Sequence, residues 1–185
     1  MLEKVNIDLK SKFIPHPMQL FLAGTYDTKG KADFGLFCWI NYCWDEELSL
    51  LVCMDGDKLT KKNIMETKSF SLNLVTKSMF PFVEELVKKL GKEKINLFSK
   101  TSFENGDNLF VPVLNDCPFQ YELQVKDVYH LNGSDIFVCK IISAKISKDL
   151  LFEDGSYDLI KSDPLLVSQN DFYNICIKNK IGGWK

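Results

Sequence analysis

The apolar residues of the chain follow the spacing of β-strands over most of its length. Residues 19–26 and 31–40 are two strand-like runs on either side of the turn Asp27-Thr28-Lys29-Gly30, and this order predicts a hairpin. The run 48–54 is almost entirely apolar, which is typical of a strand covered on both faces. Residues 70–75 form a fourth strand-like run. The first half of the chain is therefore predicted to be rich in strands.

The second half predicts one large antiparallel hairpin. Residues 119–126 alternate between apolar and polar positions, residues 135–146 form a long strand, and the turn signal Asn132-Gly133 lies between them. In the alternating strand, the apolar face carries Phe119, Tyr121, Leu123 and Val125, and the polar face carries Gln120, Glu122, Gln124 and Lys126. Residues 165–167 are a further short apolar run.

Two stretches have the spacing of helices. Residues 79–90 predict a helix that stops at Gly91 and residues 60–67 predict a shorter one. The apolar stripe of the longer helix consists of Met79, Phe82, Val83, Leu86, Val87 and Leu90. Six or more strands, mostly antiparallel, together with these helices predict a β-barrel with helical additions.

Length and charge limit the class of protein. The 185 residues suit one domain, which is expected to span residues 1–185, and a net charge of −2 with scattered lysines argues against nucleic-acid binding. No apolar run reaches the about 20 residues that cross a bilayer, and the N-terminus lacks the apolar segment of a signal peptide. A soluble cytoplasmic protein without a membrane partner is expected.

The reactive side chains form no familiar catalytic or metal-binding set. The six cysteines lack paired ligand spacing, so free thiols are expected and no metal. His16 and His130 lie far apart, and there is no Gly-x-Ser-x-Gly or nucleotide-binding glycine pattern. Flavin chemistry is compatible with such a sequence, because the cofactor itself accepts and donates the hydride.

The segment Asp55-Gly56-Asp57-Lys58-Leu59-Thr60 is a candidate anion site. It places a flexible backbone, a cation and a hydroxyl at the start of the shorter helix, where a phosphate is favoured. The alternative is an ordinary turn in which Thr60 caps the helix and Lys58 is solvated. Similarly, Phe37-Cys38-Trp39 at the end of the second strand could be an apolar edge for a flat ring, or Phe37 and Trp39 could be core residues.

Taken together, these motifs resemble the flavin reductase-like FMN-binding split β-barrel family, which includes flavoredoxins. The resemblance follows the family's order of motifs over nearly the whole chain. It is carried by Pro17, Leu22-Ala23-Gly24-Thr25-Tyr26-Asp27, Gly30, Phe34-Gly35-Leu36-Phe37-Cys38-Trp39, Lys58-Leu59-Thr60, Ile64 and Phe70-Ser71-Leu72-Asn73. There are two departures: Asp45-Glu46-Glu47 stands where many members have Pro-Pro, and Leu36 and Phe37 are bulky where many members have small residues.

The resemblance implies a mainly β, antiparallel Greek-key split β-barrel with a few helices, in a homodimer that holds FMN at its interface. The residues it assigns to FMN are Lys58 and Thr60 for the phosphate, Asp55 and Gly56 for the ribityl–phosphate path, Phe37, Cys38 and Trp39 for the ring, and Asn73 nearby. Of these assignments, the position of the flavin ring is the one most affected by the bulky residues Leu36 and Phe37 on the second strand.

The activity implied is electron transfer from NAD(P)H to flavin or to another acceptor, with a redox protein as the alternative donor. Two other hypotheses stay open. One is a non-catalytic flavin- or haem-binding module, or a flavoredoxin-type electron carrier, on the same fold. The other is a dimeric structural protein whose pocket has lost its ligand. The aromatic residues Phe172, Tyr173 and Trp184 need an apolar surface, which either a second subunit or the chain's own barrel could supply.

Overall fold

The fold is that of a computed structural model, which describes residues 4, 6, 16–89, 101–168 and 171–175. The strands are β1 (Met18–Gln19), β2 (Phe21–Tyr26), β3 (Ala32–Phe37), β4 (Ile40–Asp45), β5 (Glu47–Asp55), β6 (Ser69–Leu74), β7 (Phe103–Asn105), β8 (Pro112–Leu114), β9 (Phe119–His130), β10 (Ser134–Ile146), β11 (Leu165–Ser168) and β12 (Asp171–Asn174). The helices are α1 (Leu59–Thr67), α2 (Phe80–Val87) and α3 (Leu159–Ser162), with 3₁₀ turns at Lys77–Met79 and Lys148–Leu150.

Seven of these strands form one antiparallel sheet in the order β3-β2-β6-β9-β10-β5-β4. All seven contribute side chains to a single apolar core, so the sheet curls into a barrel around it. The two edge strands, β3 and β4, follow each other in the chain and are not paired, and the barrel is therefore open between them. The predicted antiparallel Greek-key split β-barrel with a few helices is confirmed.

The barrel interior and a second core lie on opposite faces of β2. Ala23 and Phe21 point into the barrel, where α1 adds the fully buried Ile64. Leu22 points the other way, into a second cluster that includes Val83 and Leu86 of α2. As a result, every residue of β2 is buried.

Strand β5 is not covered on both faces, contrary to the prediction for residues 48–54. Leu50, Val52 and Met54 are buried in the barrel, but Leu48 is 50% exposed and Leu51 and Cys53 are only partly buried. The reason is its place in the sheet: β5 lies beside the edge strand β4, whereas α2 covers β2 from outside.

The second strand is shorter than predicted, and a strand that the sequence analysis missed follows it. β3 ends at Phe37 rather than at residue 40, and β4 then runs antiparallel to β5 through a turn at Glu46, where φ is +62°. Cys38 and Trp39 form the corner between the two strands.

The large hairpin is confirmed as β9 and β10, joined at Gly133 with φ +104°. On the polar face of β9, Glu122 is buried, with 4% of its surface exposed. The loop that contains β7 and β8 covers this side chain, and the Glu122 carboxylate accepts hydrogen bonds from the backbone N–H groups of residues 107, 108 and 109 at 3.1, 2.9 and 2.7 Å.

Both predicted helices are present within the described residues. α1 begins at Leu59, one residue earlier than predicted, and α2 covers residues 80–87 of the predicted 79–90. Val83 and Leu86 are buried as the apolar stripe predicted, but Val87 is 50% exposed. Leu90 and Gly91 lie outside the described residues.

The predicted short run 165–167 is strand β11, which pairs with both β1 and β12. Phe172 of β12 packs edge-on against Phe80 of α2, with ring centroids 5.5 Å apart. This part of the C-terminal segment therefore docks on the chain's own barrel, which was one of the two alternatives. Tyr173 is 49% exposed, and residues 178–185 with Trp184 lie outside the described residues. Among the described helices, none has the length and apolar character needed to cross a membrane.

Candidate functional site

The loop between β5 and α1 is tied to the β9–β10 turn. Gly56 has φ +61°, a backbone conformation that glycine adopts without strain, and its N–H donates to the carbonyl of Gly133 at 2.9 Å. Lys58, the residue before α1, has an extended backbone, and its side chain does not cap the helix. The first backbone N–H groups of an α-helix have no partner within the helix, so this end favours an anion.

Lys58 connects this loop to the barrel corner. Its ammonium group pairs with the Asp55 carboxylate and lies 5.4 Å from the centre of the Phe37 ring. Lys58 also acts on Cys38: burial raises the pKa of the Cys38 thiol, and the charge of Lys58 opposes that rise. The structure thus brings Phe37, Cys38, Asp55 and Lys58 together.

Trp39 completes the corner between β3 and β4. Its indole is 42% exposed, whereas Phe37 is 6% exposed and belongs to the barrel core. The Trp39 carbonyl accepts a hydrogen bond from the N–H of Cys53 at 2.9 Å, which fixes the corner against β5. Two aromatic residues were proposed for the ring. Phe37 is a core residue whose ring lies next to the Lys58 ammonium, and Trp39 has an exposed indole.

Thr60 is the second residue of α1 and not its cap, so the interpretation of Thr60 as N-cap is wrong. Its side chain is 3% exposed and its hydroxyl donates to Oδ2 of Asp33 on β3 at 2.6 Å. A Cβ at Gly35 would collide with this hydroxyl, so glycine there allows α1 to lie close to β3. In this arrangement the hydroxyl of Thr60 fixes the helix, and its backbone N–H is the group at the helix start.

Asn73 is not part of the cluster around Lys58. Its amide is fully buried and donates to the Leu22 carbonyl and to the Ser71 hydroxyl, both at 2.9 Å. Its side-chain oxygen accepts from the N–H of Leu114 at 2.9 Å. These bonds hold β8 against β2 and β6.

Lys61 and Asp135 are polar residues beside the loop that the sequence analysis did not single out. Lys61 Nζ lies 2.8 Å from Oδ2 of Asp135, and Oδ1 of Asp135 lies 2.6 Å from Nδ1 of His130. Lys61 and His130 together hold the pKa of the Asp135 carboxyl below its usual value. The consecutive residues Lys61 and Lys62 were the available signal, because lysines at the positive end of a helix that has no acid in its first turn are unusual.

The described cysteines are free thiols, as predicted: Cys38, Cys43, Cys53, Cys117 and Cys139. Burial raises the pKa of Cys117 and of Cys139 to about 12, so neither is a reactive thiolate at neutral pH. In the described part of the chain, no group of three or more His, Cys, Asp or Glu residues is placed to hold a metal ion.

Several solved structures share this fold. Flavoredoxin of Desulfovibrio vulgaris (Miyazaki F) matches with a TM-score of 0.83 and 19% identity, over 97% of this chain and 96% of that chain. Flavoredoxin from Methanosarcina acetivorans matches with a TM-score of 0.81 and 24% identity, over 98% and 95%. An FMN-binding protein from Thermus thermophilus, solved with bound 1-cyclohex-2-enone, matches with a TM-score of 0.77 and 17% identity, over 94% and 95%.

No curated protein matches the sequence. The sequence does match the family model described as "Flavin reductase like domain", from residue 15 to residue 175. These residues include the whole barrel, the Lys58 loop and the corner between β3 and β4. The chain therefore belongs to the flavin reductase-like domain family.

Proposed function

We propose that this protein is an FMN-binding oxidoreductase that takes electrons from NAD(P)H and passes them to flavin or to another acceptor. The proposal rests on one observation: the exposed Lys58, at the start of α1, lies against the aromatic corner between β3 and β4. When bound, FMN supplies the hydride-accepting and hydride-donating chemistry. This chain's residues would bind the phosphate and orient the ring.

The start of α1 fits a phosphate. Its N-cap residue makes no side-chain capping bond, its dipole is positive there, and the exposed Lys58 adds a cation. The Lys58 side chain is 45% exposed, so its ammonium can exchange the Asp55 carboxylate for a phosphate oxygen without leaving the protein surface. The backbone at Gly56 has open space where a Cβ would be, which leaves room for a chain running from phosphate to ring.

The corner residues fit a flat ring. Trp39 offers an exposed indole face, Cys38 is half-buried beside it, and the Phe37 ring lies within 5.4 Å of the Lys58 ammonium. An aromatic surface next to a phosphate site favours a nucleotide with a planar ring over a simple anion. The similarity in fold to the Thermus thermophilus FMN-binding protein supports FMN as that nucleotide.

NADH or NADPH is expected to reduce the bound flavin. Mixing the flavin-loaded protein with either nucleotide under anaerobic conditions should bleach the flavin absorbance, because the donor's hydride is transferred to the ring. Dithionite is the control that shows the flavin is reducible. If dithionite bleaches the flavin and neither nucleotide does, the NAD(P)H part of the proposal is wrong. The two flavoredoxins of the same fold would then favour an electron carrier that a redox protein reduces.

We also propose a homodimer, and the structural support for it lies on β4 rather than on the C-terminal segment. β4 is an edge strand of the seven-stranded sheet, paired with β5 on one side, and its Tyr42 and Trp44 are 60% and 77% exposed. Leu48, the cross-strand neighbour of Trp44, is 50% exposed. An edge strand with large apolar side chains is a surface that a second copy can cover.

The free cysteines are consistent with a reducing, cytoplasmic setting.

The dimer predicts a measurable change of mass. In sedimentation, the protein should have twice the 21.3 kDa of one chain, and Trp44→Lys should shift it toward the single chain, since a charge would replace the most exposed aromatic residue of the edge. Phe152→Lys is the control, because Phe152 is 54% exposed outside β4. A single chain that still binds FMN would contradict the proposal.

A further inference from the structure

A cavity of about 240 Å³ lies at one end of the barrel, where β2 and β9 begin and β6 and β10 end. Phe21, Leu74 and Tyr121 are among its lining residues and are 5–6% exposed. Tyr42 and Tyr157 line it too and are more than half exposed, at 60% and 53%. Within one chain, the cavity therefore has a buried floor and an open mouth, and Tyr42 at this mouth also lies on the β4 surface proposed for the dimer.

The cavity is separate from the residues proposed for FMN. None of its fourteen lining residues belongs to the Lys58 loop or to Phe37, Cys38 and Trp39. On β5, the lining residue Leu50 precedes Asp55 by five residues, and on the neighbouring strand the lining begins at Ile40, directly after Trp39. The remaining wall comes from residues 150–162, a segment outside the seven-stranded sheet.

The lining selects for neutral and aromatic ligands. Among the described residues, none of the fourteen lining side chains is charged, and the wall includes Phe119 and Tyr121, whose rings meet edge-on at 4.6 Å. A charged ligand would lose its hydration there without gaining a counter-ion. A flat ring would instead gain contacts with aromatic and aliphatic side chains.

Besides Gln19, Asn41, Tyr157 and Ser162, the polar lining includes two tyrosine hydroxyls that can bind a ligand oxygen. The Tyr42 and Tyr121 hydroxyls are hydrogen-bonded to each other at the cavity wall. Burial raises the pKa of Tyr121, so its hydroxyl stays protonated at neutral pH. A ligand oxygen can join this pair, because each hydroxyl has one proton and two acceptor positions.

From the cavity and its tyrosine pair, we propose that this barrel end binds a small, uncharged, planar ring compound that carries one hydroxyl or carbonyl oxygen. Apolar cavities of about 150 Å³ in proteins hold a benzene molecule, so the larger space here has room for a ring compound beyond benzene. This site does not depend on the proposed flavin function, since it is built from other residues.

The test uses α-naphthol as the probe and α-naphthoate as its charged counterpart, each titrated by calorimetry into the full-length protein with and without added FMN. We expect α-naphthol to bind at least about tenfold more tightly than α-naphthoate, because the lining offers no partner for a carboxylate. Saturating FMN should leave α-naphthol binding unchanged. Loss of binding on FMN addition, or equal affinity for the two probes, would overturn the proposal.

Two variants assign the binding to this cavity. Tyr121→Phe removes one hydroxyl and should weaken α-naphthol binding by about threefold to tenfold, the effect of one neutral hydrogen bond. Ile146→Trp adds bulk to a partly buried lining residue and should abolish binding. Tyr129→Phe is the matched control on the same strand, 58% exposed and outside the lining. If Tyr121→Phe and the folded Ile146→Trp protein bind as the unaltered protein does, the probe binds elsewhere and the proposal is wrong.

Discussion

Replacing Glu122 with alanine is expected to lower the free energy of unfolding by about 2–4 kcal/mol, the range for a buried charged acceptor whose loss leaves several donors unpaired. The carboxylate accepts three backbone N–H groups from residues 107–109 and the side-chain amide of Asn108. Without it, the loop that carries β7 and β8 loses these hydrogen bonds to β9 and keeps the one from Gln120 to the Leu114 carbonyl. Urea unfolding followed by circular dichroism measures the difference.

A near-isosteric variant separates hydrogen bonding from packing. Glu122→Gln keeps the shape of the side chain but replaces one acceptor oxygen by an NH₂ group that faces other donors. Its free energy of unfolding should therefore fall by much of the amount expected for Glu122→Ala. Gln124→Ala is the control, because Gln124 is exposed two residues further along β9 and should change stability by no more than about 0.5 kcal/mol. A Glu122→Gln protein as stable as the unaltered one would show that the carboxylate bonds contribute nothing net.

Replacing Lys58 with alanine is expected to weaken FMN binding by about 1–3 kcal/mol, the range for hydrogen bonds to charged groups. The reason is the place of Lys58 at the uncapped start of α1, where its ammonium and the helix N–H groups would share the phosphate. Titration of the flavin-free protein with FMN gives the affinity, and parallel titration with riboflavin, which has no phosphate, isolates the phosphate contribution.

The titration with riboflavin shows whether Lys58 contacts the phosphate. Riboflavin binding should change little in Lys58→Ala, and an equal loss for FMN and riboflavin would mean that Lys58 does not contact the phosphate. Lys62→Ala is the matched control, since Lys62 lies on the same helix, 71% exposed, and its charged partner is Glu66 at 3.9 Å. Its removal should leave FMN affinity nearly unchanged.

Local patterns were sufficient for the hairpins and not for the burial of the strands. The turns at Gly30 and Gly133 were predicted from glycine, and both glycines have positive φ. The corner at Cys38 and Trp39 has neither glycine nor proline, so β4 was missed. The burial of Glu122 depends on a loop that crosses the sheet, and strand alternation carries no information about a covering loop.

The candidate site was also predicted only in part, because local sequence patterns do not show which way a side chain points. Asp55, Gly56 and Lys58 are neighbours in sequence, and the cluster that they form with Phe37 and Cys38 follows the order of motifs. The sequence gives no sign, however, that the Thr60 hydroxyl turns inward to Asp33 or that Asn73 holds β8. Side-chain direction at both positions is decided by partners on strands far away in the chain.

The position of the β9–β10 hairpin between β6 and β5 has a consequence for the order in which the molecule can assemble on the ribosome. The hairpins β2–β3 and β4–β5 pair neighbouring segments and can form as soon as they emerge. β6 and β5 pair with β9 and β10, which begin only at residue 119 or later. Each therefore has an unpaired edge until those strands are synthesised. A nascent chain that stalls before residue 119 therefore carries two half-sheets with unpaired edges, a state prone to association with other chains.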